Sequence, residues 1–331
     1  MSGDTSKSAF TEWRLDTRDV GVKRVYRFCA SVAPLREPVL ICGETGTGKD
    51  MVAREIHRAS GLAGRFVVLN VAGLDGQLLS DTLFGHRSGA YTGAREHRFG
   101  LVAEAAGGTL FLDEIGDLDV ADQIKLLRLI ENDEYYPLGS DKPEASRARI
   151  VLATNHDLHD LMEQRRFRRD LYYRIFTYEV HLKPLRKRSA DIIPLFEHFT
   201  KKASNDFDIV LSCEDRNVDI LLHYQYPGNI RELRSIAYRC ALHARSVGLS
   251  KIDSGTIEEV VEDYYGSRSS LEPGSPDGPI RFPSPLPAVR DWVDALIAEA
   301  LKRSNGNVSL AARSVGLSPQ ALHQRLQRRH T

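Results

Sequence analysis

The segment GETGTGK, residues 43–49, places three glycines and a lysine between an apolar run and a helical pattern. The apolar run 38–42 predicts a strand, and the helical pattern extends from Lys49 to about Ala59. Glycines let the backbone N–H groups of such a loop turn toward one point, and the N-terminus of the following helix adds positive potential there. The pattern predicts a loop that cradles nucleotide phosphates, with Lys49 reaching the β and γ oxygens. The predicted nucleotide-binding residues of this loop are Gly43, Glu44, Thr45, Gly46, Thr47, Gly48, Lys49 and Asp50.

A second segment, GGTLFLDE at residues 107–114, is an apolar strand that ends in two acids. In a parallel sheet the carboxyl end of this strand lies beside the phosphate loop. Asp113 can then hold Mg²⁺ through a water molecule, and Glu114 can orient or deprotonate the attacking water. Asn155 ends another predicted strand, where its side chain can touch the γ-phosphate or that water. The sequence therefore predicts an ATPase that uses ATP and Mg²⁺, although Asp50 stands where Ser or Thr usually ligates the metal.

Short apolar runs alternate with helical patterns over most of the chain, which predicts an α/β fold with a parallel sheet covered on both faces. The predicted strands are 38–42, 66–70, 109–112, 150–153 and 178–182. The strands are expected to stop near residue 185, and 191–261 are predicted to be entirely helical. The predicted organisation is a short N-terminal segment 1–20, an ATPase subdomain 21–185, a helical lid 186–262, a linker 263–288 and a terminal all-α domain 289–331.

The linker and the terminal domain differ in composition from the rest of the chain. Six of the fourteen prolines lie within residues 273–287, which is typical of a semi-extended linker, with a proline-rich recognition motif as the alternative. Lys and Arg balance Asp and Glu at 45 each over the whole chain, yet no acid follows Leu301. The helical pattern there, with Ser318 as N-cap and Pro319 after it, predicts a helix-turn-helix. The alternative is a helical dimerisation module. The side chains predicted to contact DNA are Gln320, His323, Gln324, Arg325, Arg328 and Arg329.

Several classes of protein are excluded or disfavoured. No run of 18 apolar residues is present, so no membrane span is predicted. The N-terminus lacks the apolar stretch of a secretory signal. The four cysteines are far apart and show no CxxC spacing, which disfavours a disulfide scaffold or a zinc site and fits a reducing cytoplasm.

The hexapeptide GAYTGA at residues 89–94, preceded by LFGH, resembles the GAFTGA loop of bacterial sigma-54-dependent activators of the AAA+ class. The resemblance covers roughly residues 21–263 and the tail. Five other segments agree with it: 43–49, 107–118, 167–174, 182–186 and 226–233. Two glycines predict a mobile, hairpin-like tip, with a plain structural turn as the alternative. The residues that the resemblance assigns to sigma-54 contact are Gly89, Ala90, Tyr91, Thr92, Gly93 and Ala94.

The resemblance implies a ring, usually a hexamer of like or unlike subunits, in which ATP hydrolysis raises these loops against sigma-54 and opens the promoter complex of RNA polymerase. It assigns Lys49, Asp113 and Glu114 to the Walker motifs. It makes Asn70 a switch that restrains Glu114, and it gives Asn155 and Arg231 sensor roles. Arg168 and Arg174 match the fingers that act on a neighbouring subunit's nucleotide. An acid such as Asp50 after the lysine is common in this family.

The tail resembles the Fis-type domain that binds enhancer DNA in these activators. Only about twenty residues precede the ATPase segment, which resembles the subgroup without a regulatory domain, of the type III secretion (Hrp) or phage-shock type. Control would then come from a separate protein that binds the ATPase domain, or from expression level. Two other functions stay open: a DNA-binding regulator that works without sigma-54, and an AAA+ enzyme that remodels other proteins.

Overall fold

A computed structural model describes residues 17–74, 76–92, 94–213, 219–269 and 308. The chain divides into the units Met1–Ser267 and Arg268–Thr331, and the fold and site below belong to the first. Its helices are α1 Val20–Val32, α2 Lys49–Ser60, α3 Gly76–Phe84, α4 Leu101–Glu104, α5 Val120–Asn132, α6 Leu158–Glu163, α7 Arg169–Ile175, α8 Ile192–Phe207, α9 Asp219–His223, α10 Asn229–Val247 and α11 Ser254–Ser269. Its strands are β1 Val39–Gly43, β2 Phe66–Asn70, β3 Gly85–His86, β4 Arg98–Phe99, β5 Thr109–Asp113, β6 Glu134–Tyr135, β7 Glu144–Ala145, β8 Arg149–Thr154, β9 Glu179–Leu182, β10 Ser212–Cys213 and β11 Lys251–Ile252.

Five parallel strands form the central sheet in the order β2-β5-β8-β1-β9. All six residues of β8 are buried, as expected for a strand that is covered on both faces. Alternate residues of β5 enter different cores: Leu110 and Leu112 pack with α5, whereas Phe111 packs with α1 and α2. The sequence prediction of an α/β fold with a doubly covered parallel sheet is confirmed.

Local signals place the ends of the helices that surround the sheet. Asp19 and Asp119 cap α1 and α5, with each carboxylate accepting a hydrogen bond from the backbone N–H three residues later. Gly48 precedes α2 with φ 96°, a conformation that favours glycine. This glycine lets the chain turn directly from the phosphate loop into α2.

The lid after the sheet is mainly helical, with a separate core that contains the fully buried side chains Phe196, Tyr226 and Leu233. The expectation of an entirely helical segment is wrong in one respect, because β10 and β11 form a short parallel pair. Each of these strands has two residues, which is too short for a period-two pattern to show in the sequence. None of the helices in the described part of the chain combines the length and apolar character needed to cross a bilayer.

Candidate active site

The carboxyl ends of three adjacent strands meet at one edge of the sheet. The phosphate loop 43–49 follows β1. Asp113 is the last residue of β5 and Glu114 comes directly after it, and Thr154 and Asn155 stand in the same relation to β8. Because the strands are parallel and in register, the sheet delivers these polar groups to the same place. The structure thus brings together the groups that the sequence predicts to bind and cleave a nucleotide.

Lys49 is a buried cation at the centre of this edge, with a side chain that is 6% exposed. Its Nζ donates to the backbone carbonyl of Gly43 at 3.0 Å and lies 3.4 Å from Glu114 Oε1. A buried ammonium needs such partners, because desolvation of an unpaired charge is costly. Lys49 is therefore held at the loop with its charge directed into the site.

Glu114 is fixed in an uncommon backbone conformation, with φ 60° and ψ 44°. A non-glycine residue in the left-handed region is typical of functional sites, where the surrounding structure holds the strain. Its Oε2 accepts a hydrogen bond from the backbone N–H of Asn155 at 3.0 Å, while Oε1 faces Lys49. The carboxylate is thus positioned from both sides.

Asp113 precedes Glu114 and its Oδ1 accepts the Glu114 backbone N–H at 3.0 Å. Burial raises the pKa of the Asp113 carboxyl, and the nearby charge of Glu114 raises it further. Asp50 contributes in the same direction. Three carboxylates therefore crowd this edge, and their mutual repulsion favours a bound cation.

The two predicted asparagines are placed differently. The Nδ2 of Asn155 donates to Thr45 Oγ1 at 3.0 Å, which links the end of β8 to the phosphate loop. Asn70 is adjacent to Asp113 in the β2–β5 register, but its Oδ1 accepts the backbone N–H of Ala72 at 2.9 Å. Within the described residues no hydrogen bond joins Asn70 to Glu114, so its switch role stays a prediction.

A cleft of about 510 Å³ opens between the sheet edge and the lid, and it contains Lys49, Asp113 and Glu114. The lid side of the cleft is lined by His198, Phe199, Lys202, Ile230, Arg231 and Arg234. Sequence reasoning found Arg231 but missed His198, Lys202 and Arg234. Their spacing of three or four residues on α8 and α10 was the available signal, since it puts basic side chains on one helix face.

The lid is attached to the phosphate loop by direct contacts. The backbone N–H of Ile230 donates to the carbonyl of Gly46 at 2.9 Å. Asn229 is fully buried, and its Nδ2 donates to Thr45 O at 3.0 Å and to Glu44 Oε2 at 3.1 Å. A Cβ at position 46 would lie 2.3 Å from the carbonyl oxygen of Gly228, so only glycine permits this approach. The phosphate loop and the lid are therefore joined by hydrogen bonds and a close backbone approach.

The two predicted finger arginines lie away from this cleft. Arg168 pairs with Asp170, at 2.6 Å between Nη2 and Oδ2. Arg174 lies 3.5 Å from Glu37 Oε2 and donates to Ile130 O at 3.4 Å. Neither arginine is among the described residues that line the cleft of the same chain.

The hexapeptide loop 89–94 folds back on itself, since Gly89 N–H donates to Ala94 O at 2.7 Å and Ala94 N–H donates to Tyr91 O at 3.0 Å. Tyr91 and Thr92 are exposed, whereas Ala94 is buried. The tip thus offers an aromatic ring and a hydroxyl to solvent. Gly93 lies outside the described residues.

The base of this loop rests on a polar cluster in which Asp81 and His86 are buried and Arg98 is exposed. His86 Nδ1 contacts Asp81 Oδ1, and Arg98 Nη1 lies 2.5 Å from Asp81 Oδ2. The His86 ring packs edge-on against Tyr91 at 5.2 Å between centroids. Leu138 N–H donates to Gly85 O at 2.8 Å, which joins the loop base to the β6–β7 turn. No pattern in the sequence predicts this support.

The predicted DNA-contacting side chains lie outside the described residues. They are Gln320, His323, Gln324, Arg325, Arg328 and Arg329.

Models of three protein families match consecutive parts of the chain. The Sigma-54 interaction domain matches residues 15–181, and the AAA+ ATPase lid domain matches residues 186–261. The chain belongs to the sigma-54-dependent transcriptional regulators. The third model, that of the bacterial regulatory protein Fis family, matches residues 294–328. The family membership that the hexapeptide loop indicates is thereby confirmed.

Curated members of the family are similar over most of this chain. The transcriptional regulatory protein ZraR of Klebsiella oxytoca is 38% identical over 90% of the chain and 65% of its own length. The DNA-binding transcriptional regulator NtrC of Azospirillum brasilense is 33% identical over 93% of the chain and 68% of its own length. The chain thus spans about two thirds of the length of these relatives, and slightly less for ZraR.

Two solved structures show where the fold recurs. NtrX from Brucella abortus, crystallised in complex with ATP, has a TM-score of 0.68 at 26% identity and covers 97% of this chain and 72% of its own. The Thermotoga maritima branch-migration motor RuvB has a TM-score of 0.51 at 17% identity and covers 91% of this chain and 83% of its own. The second likeness supports the AAA+ fold alone.

Proposed function

We propose that this protein is an ATP-driven transcription activator that opens promoter complexes of sigma-54 RNA polymerase. The observation that carries the proposal is the position of Glu114, whose carboxylate is held between Lys49 and the Asn155 backbone at the floor of the cleft. This arrangement provides phosphate binding and water activation at one point. The loop 89–94, with Tyr91 and Thr92 exposed at its tip, supplies the contact with sigma-54.

The donor groups at the cleft fit Mg²⁺, which prefers carboxylate oxygens and water. Asp113 would hold the ion through water, with Asp50 nearby. The cation would relieve the repulsion from Glu114, which adds to the effect of burial in raising the pKa of Asp113. When bound, Mg²⁺ neutralises charge on the β- and γ-phosphates. Gly43, Thr47 and Gly48 would present the loop to the phosphates.

In the proposed reaction, Glu114 takes a proton from a water molecule whose oxygen attacks the γ-phosphorus. The bond from the γ-phosphorus to the bridging oxygen breaks, which leaves ADP and inorganic phosphate. Lys49 stabilises the charge on the phosphate oxygens, and Arg231 on the lid faces the same cleft. Asn70 would restrain Glu114 in a state of the site other than the one described here.

Arg168 and Arg174 are proposed to act on the nucleotide of a neighbouring subunit in a homo- or hetero-hexameric ring. Both are partly exposed, and their distance from the cleft of their own chain agrees with action in trans. Such an arginine contributes roughly 10³–10⁵ in rate.

The remaining partners follow from the family. The Fis-type tail would bind upstream enhancer DNA, with Gln320, His323, Gln324 and Arg325 at base edges or phosphates and Arg328 and Arg329 at the backbone. Because phosphate contacts dominate such binding, DNA affinity should fall steeply with salt. A separate regulatory protein that acts on the ATPase domain and a role in type III secretion (Hrp) genes complete the proposal.

In vitro transcription from a sigma-54 promoter tests this function. With ATP the protein should produce open complexes, and with a non-hydrolysable analogue it should not. Glu114→Gln should still bind ATP while turnover falls by roughly 10²–10⁴, the usual contribution of a general base. The proposal fails if open complexes form equally well without hydrolysis, or if no nucleotide state of the protein engages sigma-54.

A further inference from the structure

A sulfur from β1 and a carboxylate and an imidazole from the edge strand β9 meet beside the phosphate loop. Cys42 lies opposite His181 in the parallel register of β1 and β9. Glu179 precedes His181 by two residues, so both side chains lie on the same face of β9. Topology thus assembles three metal-binding residue types that are far apart in sequence.

The three candidate ligand atoms are already close. Cys42 Sγ lies 3.3 Å from Glu179 Oε1, and His181 Nε2 lies 2.7 Å from the same oxygen. All three atoms fall within 4.8 Å of one another. Zinc binds sulfur at about 2.3 Å and nitrogen or oxygen at about 2.0–2.2 Å, which requires ligand atoms roughly 3–4 Å apart. The side chains therefore need only small adjustments to surround one ion.

The surroundings allow an ion to enter. The His181 side chain is 72% exposed, whereas Glu179 is 18% exposed and Cys42 is half-buried. The ion would therefore have one solvent-facing side for a water ligand and a protein-facing side that holds it. The second cluster of this kind among the described residues, His159 with Asp160 and Glu163, has all three residues exposed and contains no sulfur.

We propose that Cys42, Glu179 and His181 bind a zinc ion, with water in the fourth position. Zinc favours a mixed sulfur, nitrogen and oxygen set in tetrahedral geometry. On binding, the Cys42 thiol gives its proton to solvent, and the sulfur, the neutral imidazole and the carboxylate each donate an electron pair to the ion. This site is separate from the oxygen-rich Mg²⁺ position at Asp113, and it does not depend on the proposed transcriptional function.

Cobalt titration of the nucleotide-free full-length protein tests the site, because Co²⁺ occupies zinc sites and a thiolate ligand adds a sulfur-to-cobalt charge-transfer absorption. The wild-type protein should gain this absorption at one equivalent of Co²⁺, and Zn²⁺ should displace it. Cys42→Ser should abolish the absorption. Cys240→Ser, which removes a thiol of the lid core, should keep it.

Histidine variants provide an independent measurement that does not disturb the residue before the phosphate loop. His181→Ala should weaken Zn²⁺ binding by at least ~10-fold. Replacing a residue that only hydrogen-bonds to a metal ligand already weakens metal binding by about 10–100-fold, so the loss of a ligand should cost no less. His159→Ala, at another exposed histidine, should leave the affinity unchanged. The proposal is overturned if the wild-type protein shows no thiolate absorption, if Cys42→Ser retains it, or if His181→Ala binds Zn²⁺ as tightly as the wild type.

Discussion

The phosphate loop 43–49 and the hexapeptide loop 89–94 are held in different ways. The phosphate loop is contacted from several elements, with Asn229 and Ile230 of the lid on one side and Asn155, which follows β8, on another. The hexapeptide loop is supported at its base by the cluster around Asp81, while its tip is exposed. The difference agrees with the two tasks proposed for this domain, which are phosphate chemistry at the first loop and contact with sigma-54 at the second.

Phosphate chemistry depends on groups that are already in position, because a displacement of about 1 Å can cost ~10²-fold in rate. A loop that contacts a partner has to present its side chains outward, and such loops come from less stable parts of a fold. Variants in one loop should therefore leave the other's function measurable.

The largest effect is expected for Lys49→Ala, at a buried position of the phosphate loop. It removes a charged donor to the phosphates, and the rate of phosphate release should fall by ~10²–10³-fold or more. Lys23→Ala, at an exposed position on α1, should leave the rate unchanged. Retention of turnover in Lys49→Ala would place the reaction elsewhere.

Thr92→Ala should separate the two regions. Phosphate release should stay within about twofold of wild type, as for most exposed substitutions. Open-complex formation should fall roughly 10-fold or more, since loss of a hot-spot side chain costs about 2 kcal/mol or more and about 1.4 kcal/mol corresponds to tenfold. Thr92→Ser keeps the hydroxyl and should retain most of the activity. Equal losses of both activities in Thr92→Ala would show that the loop is part of the catalytic machinery.

The phosphate loop and its acids were predictable because each lies at the end of a strand, and a short apolar run in the sequence predicts each of these strands. Asp113, Glu114 and Asn155 then follow from parallel topology alone. The residues on the lid side of the cleft were not predictable. Their spacing puts Lys202 and Arg234 on helix faces, but it does not show which face of each helix lies against the sheet. The support of the hexapeptide loop by Leu138 also depends on tertiary contacts across some fifty residues of chain.

Asn229→Ala should have a smaller effect, on stability rather than chemistry. The buried amide accepts Leu185 N–H at 2.8 Å and donates to two groups of the phosphate loop. Its φ of 53° also suits asparagine better than alanine. The free energy of unfolding should fall by about 2–4 kcal/mol in urea titrations, given roughly 1 kcal/mol for each bond.

Ser235→Ala is the matched control for this measurement, because Ser235 is half-buried on the same helix and its hydroxyl donates to Arg231 O within that helix. Its free energy of unfolding should change by no more than about 0.5 kcal/mol. If Asn229→Ala were equally mild, the lid would not be fastened to the phosphate loop through this side chain.

The smallest effect is expected where the same loop reaches solvent, at Glu44. Hydrogen bonds from Arg186 hold the pKa of the Glu44 carboxyl below its usual value, despite partial burial. The stabilisation is therefore complete above the unfolded-state pKa of about 4.3 and is lost as pH falls through the lower folded-state value. Because the Glu44 side chain is 42% exposed, solvent screening limits the contribution to well under ~1 kcal/mol.

Glu44→Gln should remove this pH dependence without disturbing the enclosed side of the loop. Urea midpoints of the wild type and the variant should converge as pH falls from about 6 to about 3.5, across the carboxyl titration range. A gap that stays constant over this range would mean that the Arg186 pair contributes nothing, and that the loop is held entirely by its buried contacts to Asn229 and Ile230. A gap that widens as pH falls would reverse the sign of the linkage and exclude the ion pair as its source.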